Sequence, residues 1–248
     1  MNDNKITLTI DIDWVADDVI EYVAEILLKY NIKATWFVTH KSPAIKTLFK
    51  RKDLFKTGIH PNFLPNSTQG RTMREIMDYL LDICPGAQIM RTHGLYQSSL
   101  MFAFIIENYP QIKIDASLFI PAAKNLHVHK FYAQPSYPER FIYRIPFLWE
   151  DDFTMISAHP NFKFKVNNFP GYGVKVFNFH PIHIALNSSS WIKYTNLKRR
   201  YSTEKIKLKD LLKLRENNKK GTEDFLREML NNKNIQFIHL KEWVSRCR

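Results

Sequence analysis

Asp11 and Asp13 close an apolar run that begins at Ile6. In an extended chain residues two apart face the same side, so this spacing predicts two carboxylates side by side, roughly 6 to 7 Å apart along the backbone. The device recurs where His60 and Asn62 follow Thr57-Gly58-Ile59, and where Arg91 and His93 follow Gln88-Ile89-Met90. One such pair reads as a strand running out into solvent. Three together speak for an assembled site, because ionisable groups are costly to bury without partners. The chemistry that suits them is metal-assisted hydrolysis, in which one carboxylate and histidines hold a divalent ion with a position left open for water. Asp13 and His60 can supply two ligands. Asp11, beside Asp13 but off the metal, can accept a proton from the attacking water, and Arg91 can hold that carboxylate ionised. His180 offers an imidazole across the site to protonate the leaving group.

These residues need parallel strands to bring them together, and the first 120 residues alternate in that sense. Asp17 can cap a helix carrying Val19, Val23, Leu27 and Tyr30 at helical spacing, after which Lys33 to Val38 returns as a strand. Ser42-Pro43 starts a helix running to about Lys52. A helix through Met73, Ile76, Met77, Leu80 and Leu81 stops at Cys84-Pro85-Gly86, and further elements are expected near 98–108 and at Ile112 to Asp115. Between 116 and 173 the pattern breaks up, with Pro121, Pro135, Pro138, Pro146, Pro160 and Pro170 excluding long helices. Val174 to Phe179 then reads as a strand delivering His180-Pro181-Ile182-His183, followed by amphipathic helices at Leu208 to Glu216 and Glu223 to Leu230 and a last strand at Ile235 to Leu240. Each polar pair or histidine sits at the C-terminal end of its strand, where barrels and open α/β sheets both carry their chemistry. One domain over 1–248 is the economical reading.

Composition narrows the class. Hydrophobic residues make up 45 % of the 248, enough for a substantial core. No run reaches the ~18 apolar residues of a membrane span and no apolar signal segment opens the chain, so a cytoplasmic location is the default expectation. Cys84 and Cys247 lie in no metal-binding or redox spacing and read as incidental. The net charge of +12 is concentrated in 193–220, where eleven Lys or Arg face only Glu204, Asp210 and Glu216. This basic insertion or linker can serve an anionic membrane surface or a phosphorylated substrate, or be a solvated helix face with a mobile linker. Nucleic acid is not an expected partner, because no helix-turn-helix, zinc-finger or RNA-binding sheet signature is present.

Taken together, the motifs resemble the polysaccharide deacetylases, the NodB-like domain of carbohydrate esterase family four. Thr9-Ile10-Asp11-Ile12-Asp13 is similar to the family's first motif, whose two acids are a catalytic base and then a metal ligand. Ala34-Thr35-Trp36-Phe37-Val38 is similar to the strand that follows, and Gly58-Ile59-His60, Arg91-Thr92-His93-Gly94 and Phe179-His180 align with the histidine, arginine and Leu-x-His motifs. The longer strings Gly-Ile-His-Pro-Asn-Phe, Arg-Thr-His-Gly-Leu-Tyr-Gln-Ser-Ser and Phe-His-Pro-Ile-His resemble the WbmS-like branch, associated with bacterial surface-polysaccharide synthesis. The resemblance covers roughly residues 6–185. It implies an α/β fold, a distorted (β/α) barrel with fewer than eight regular units. It also implies hydrolysis of an acetyl group from a sugar, with Asp11, Arg91 and His180 as catalytic residues and a divalent metal, zinc being the expected ion.

One departure stands out. The family's second metal-binding histidine lies four residues after the first, and here that position is Leu64. Leucine cannot bind metal. His93 replaces the proline of the arginine motif and is expected to move in as the missing ligand beside Asp13 and His60, with Asn62 the weaker candidate. Loss of the metal would instead leave a silent carbohydrate-binding protein. Asn62, Tyr96, Trp149 and His183 are expected to contact substrate, Trp149 by stacking on a sugar ring. The implied substrate is an acetylated sugar or oligosaccharide precursor of surface polysaccharide, nucleotide- or lipid-phosphate-linked, with a peripheral membrane contact as a possible consequence. His40 can line the rim, whereas His127, His129, His159 and His239 read as surface or packed residues.

Overall fold

A computed structural model describes residues 4–134, 136–169 and 172–246. Cys247, Pro135 and Pro170 lie outside the described residues. In chain order the first half runs β1 Lys5–Asp11, α1 Asp17–Lys29, β2 Ala34–Val38, α2 Pro43–Lys50, β3 Phe55–Ile59, α3 Met73–Ile83, β4 Ile89–Met90, α4 Ser99–Asn108 and β5 Ile114–Phe119. The second half adds β6 His129–Tyr132, β7 Phe141–Phe147, β8 Trp149–Glu150, α5 Asp151–Ile156, β9 Val176–Phe179, α6 Pro181–Leu186, α7 Trp191–Arg200, α8 Leu208–Leu214, α9 Thr222–Leu230, β10 Gln236–Phe237 and α10 Leu240–Val244.

β1 is buried on both faces from Ile6 to Asp11, as a central strand of a helix-covered parallel sheet must be. The hydrogen-bonded order is β6-β7-β5-β4-β3-β2-β1-β9-β8, with β10 against the first residues of β1. Every pairing is parallel except β6 with β7. The ends of this order meet through the chain itself. β7 pairs with β5, β8 pairs with β9, and only Leu148 separates β7 from β8, its N–H donating to Val176 O at 3.1 Å. The sheet therefore curls into the distorted barrel, short of the eight regular units of the full fold.

The helices start where polar side chains take up free N–H groups. Ser42 Oγ accepts from Ala44 N with Pro43 at the first helical position. Thr72 caps α3 and Ser98 caps α4 in the same way. Gly58 matters for another reason: a Cβ there would lie 2.6 Å from Ile89 O, so only glycine lets β4 approach β3 beside His60.

Several expectations need correction. Ala16, not Asp17, is the N-cap of α1, and Asp17 instead accepts a hydrogen bond from Ser42 Oγ that ties α1 to α2. The irregular stretch hides a seven-residue strand, β7, in which Pro146 is paired beyond a register shift against β5. The last strand is only Gln236–Phe237, and Leu240 opens α10. The segment 193–220 holds most of α7 and all of α8, whose Leu211 is buried, rather than a plain linker. No helix of the described residues is long and apolar enough to cross a membrane.

Candidate active site

Parallel registration sets the ends of β1, β3, β4, β8 and β9 on one rim of the barrel, and the polar residues that follow them converge there. β1 stops at Asp11. Asp13 is therefore not the next outward residue of an extended strand. It lies in a turn with φ of 38°, followed by Trp14 with φ of 53°, left-handed values that are costly for side chains of this kind. Ile12 N donates to Phe37 O and Trp14 N to Thr39 Oγ1, which hold the turn against β2. The carboxylates still meet, both facing His180 Nε2, 4.0 Å from Asp11 Oδ2 and 3.8 Å from Asp13 Oδ2.

Around Asp13 three donor atoms form a small triangle. His60 Nε2 lies 3.1 Å and His93 Nδ1 3.3 Å from Asp13 Oδ1, and the two ring nitrogens are 3.3 Å apart. His60 Nδ1 is 2.7 Å from Arg91 O, and a carbonyl can only accept. In neutral His60 the proton is thus on Nδ1, and Nε2 points a lone pair into the triangle. Asp13 Oδ1 is buried and accepts no hydrogen bond of sound geometry among the described residues. Three potential ligand atoms this close together, one of them a buried carboxylate oxygen without a partner, make a candidate cation site. A tetrahedral ion with bonds near 2.0 to 2.1 Å has ligand atoms about 3.3 Å apart, so the residues fit a small divalent metal. Burial would raise the Asp13 carboxyl, but His60, His93 and the charge of His180 hold it well below the usual carboxylate range. Edge-on packing of Trp14, with ring centroids 5.0 Å apart, steadies His93.

Asp11 is held on both oxygens: Oδ1 accepts from Arg91 Nη1 at 3.1 Å and Oδ2 from Asn178 Nδ2 at 2.9 Å. Arg91 is fully buried, its guanidinium between the rings of Phe37 and Phe147 at 4.6 and 4.5 Å, and Nε donates to Ala116 O. Its Nη1 also donates to Thr9 Oγ1 and Asn178 Oδ1. Across the rim, Asp151 clamps His180 twice, through the backbone N at 2.8 Å and Nδ1 at 2.7 Å. Burial alone would lower the His180 imidazole, yet Asp152 and Asp151 carry it well above its ordinary value. Nε2 is thereby turned toward Asp11 and Asp13 with a proton to give.

Residues 8–198 match the WbmS-like polysaccharide deacetylase family. The chain belongs to that family. Among solved structures it is similar to WbmS of Bordetella bronchiseptica, assigned as a polysaccharide deacetylase involved in O-antigen biosynthesis, with a TM-score of 0.75 and 28 % identity over 91 % of this chain and 89 % of that one. Two others align more loosely. A family 4 acetyl xylan esterase from Clostridium thermocellum, solved with cobalt, gives a TM-score of 0.48 at 12 % identity over 98 % and 91 % of the two chains. A peptidoglycan N-acetylglucosamine deacetylase gives 0.44 at 14 % identity over 97 % and 88 %. No curated protein sequence matches.

Within this WbmS-like deacetylase, the remaining expected residues divide. Tyr96 follows the 3₁₀ turn that begins at His93, is 38 % exposed, and lines a groove of about 640 Å³ with Phe63, Leu64 and Arg71. Asn62 stands near but its Oδ1 accepts from Leu64 N, so that oxygen is spent on its own loop rather than on the triangle. Trp149 is a correction. Its ring stacks on Phe225 at 4.2 Å and packs on Phe179, and at 8 % exposure it serves the core rather than a sugar. His183 is also a correction, buried on α6 with Nε2 2.6 Å from Asp152 Oδ1 and Nδ1 3.1 Å from Ser188 Oγ, out of a substrate's reach. His40 is held by Thr39 Oγ1 at 2.8 Å, and burial lowers its imidazole. Cys84 is buried, its thiol pushed up to about 12, as befits an inert residue.

Asn178 and Asp151 were not foreseen. Asn178 stands two residues before His180, the same spacing that singles out Asp11 and Asp13, and could have been read from the sequence. Asp151 follows β8, a two-residue strand without a recognisable pattern of its own.

Proposed function

We propose that this chain is a metal-dependent hydrolase that removes an acetyl group from a sugar of a surface-polysaccharide precursor. The observation that carries the reading is the triangle of Asp13, His60 and His93, one corner of which is an orphaned carboxylate oxygen, with Asp11 and His180 beside it. Those three residues would hold the ion, zinc being favoured by a donor set of two imidazoles and one carboxylate. When bound, it supplies Lewis acidity toward the acetyl carbonyl and toward water.

The chain's own groups do the rest. Asp11, kept ionised and oriented by Arg91 and Asn178, takes a proton from the attacking water as its oxygen bonds to the acetyl carbon. His180, aligned by Asp151, gives a proton to the sugar nitrogen or oxygen as its bond to that carbon breaks. Acetate and a free amine or hydroxyl result. Tyr96 and Phe63 offer aromatic surface beside the metal ligands for the sugar. Leu64 does not require a silent protein, since His93 can stand in for the missing histidine. The reading includes a cytoplasmic location and a substrate linked to a nucleotide or lipid phosphate.

The test is acetate release from N- and O-acetylated oligosaccharides by chelator-treated protein, before and after zinc is restored. Activity that appears only with metal supports the reading. Sugar binding without acetate release under any metal supports the silent alternative.

A further inference from the structure

Beside the mouth of the site lies an exposed apolar surface that hydrolysis leaves unused. α5 begins at Asp151, the clamp of His180, and ends at Ile156, which is 60 % exposed; Phe153 on the same helix is 50 % exposed. Across a groove of about 720 Å³ stands the first turn of α7, where Ile192 is 71 % exposed next to Trp191. Lys163, Lys193, Lys219 and Lys220 line the same groove. Lys193 and Lys220 reach Glu216 and Glu228, whereas Lys163 and Lys219 form no ion pair among the described residues. Lys198, Arg199 and Arg200 close α7 and add to the same positive field.

Isoleucines this exposed bury little of their apolar surface in the fold, and an apolar patch with a cationic rim has the composition of a surface that sits at the boundary between headgroups and acyl chains. We propose that this face docks the protein on an anionic lipid bilayer, with Ile156 and Ile192 entering the acyl boundary and the lysines meeting lipid phosphates. Charge decides against the other occupants. A second copy would set one cationic rim against another, and a free nucleotide would leave both isoleucines in water. Because α5 carries both Ile156 and the clamp of His180, a docked protein holds its catalytic mouth about one short helix from the lipid, where a lipid-phosphate-linked glycan would lie. That last step rests on the deacetylase reading. The docking does not.

The full chain is pelleted with vesicles of phosphatidylcholine alone or with about one third phosphatidylglycerol. Binding is expected only to the anionic vesicles and weakens as salt rises. Lys163→Ala with Lys219→Ala removes two cations each worth about five-fold at such a surface, so partitioning should fall roughly twenty-five-fold. Ile156→Ser with Ile192→Ser should also weaken it, with the unfolding temperature and metal content of both variants unchanged. No pelleting, equal pelleting with the neutral vesicles, or indifference to both pairs overturns the proposal. Release by inorganic phosphate beyond chloride of matched ionic strength overturns it in favour of a compact phosphate site. A serine pair that changes the oligomeric state but not vesicle binding overturns it in favour of a second copy. Since pelleting does not read acetate release, a failure of the deacetylase reading leaves this result standing.

Discussion

The imidazole of His60 donates from Nδ1 to the carbonyl of Arg91 at 2.7 Å, so one residue after β4 both fixes the tautomer of a histidine in the proposed metal triangle and sends its own side chain to Asp11. Backbone and side chain of Arg91 thus serve the two halves of the site. An outer hydrogen bond of this kind orients the ring and strengthens its free nitrogen as a donor.

The triangle predicts which residue replaces the absent second histidine. His93→Ala should weaken zinc binding at least a hundred-fold, because two protein ligands rarely hold a catalytic ion. Asn62→Ala should leave it nearly unchanged. Competition against a zinc chelator measures both, and the reverse order of effects would show that His93 is not a ligand.

Asp11→Asn keeps the shape of the side chain and its place near Arg91 but removes the proposed base. Metal content should stay at the wild-type level while turnover drops by about 10² to 10⁴, the range typical of a lost acid or base. Near-normal turnover in a metal-replete variant would falsify the assignment. Asn178→Ala leaves the carboxylate in place with one oxygen unsupported. It should cost less than Asp11→Asn, and mainly in kcat.

Asp151 acts through His180, and its loss should be visible apart from folding. Asp151→Asn retains a group that can accept from one nitrogen but removes the adjacent negative charge that helps keep the imidazole protonated. We expect kcat to fall by roughly 10² or more with little change in KM, in line with the cost of disturbing a buried histidine–aspartate pair. The alkaline limb of the pH–rate profile should move toward lower pH. A variant with unaltered kcat and pH profile would remove Asp151 from the catalytic apparatus.

Much of this architecture was readable because parallel strands buried on both faces announce themselves. β1, β2, β3 and β9 are short, largely apolar runs, and β1, β3 and β9 end at or just before a residue of the site. The rule that residues two apart share a face brought Asp11 and Asp13 together for a reason the structure replaces: Asp13 arrives through a left-handed turn pinned to β2. β7 was hidden because Pro146 and the half-polar Tyr143-Arg144 obscure its pattern, and the two-residue β8 that leads to Asp151 is too short to show one. Trp149 shows a different limit. Aromatic character alone does not say whether a ring stacks on a sugar or on Phe225; only the packing distinguishes them.

Glu150 gives a prediction for stability rather than catalysis. Burial, with Asp152, Asp151 and Asp11 nearby and outweighing the opposing charge of His180, pushes its carboxyl up to about 8 from 4.5. Below the unfolded value both states carry the proton and the residue costs nothing. Between the two values the unfolded chain ionises while the folded one does not, so stability declines as pH rises from about 4.5 and the loss is complete above about 8, reaching up to a few kcal/mol. Glu150→Gln removes the titration but keeps the shape. In chelator-treated protein, urea unfolding of the two forms should give similar stabilities near pH 4 and a variant more stable by a few kcal/mol near pH 8. Groups remote from Glu150 titrate alike in both proteins and cancel in the difference. Parallel stability curves for the two forms across this range would mean that Glu150 ionises freely in the folded chain, with its carboxylate reaching solvent rather than facing the rim of acids.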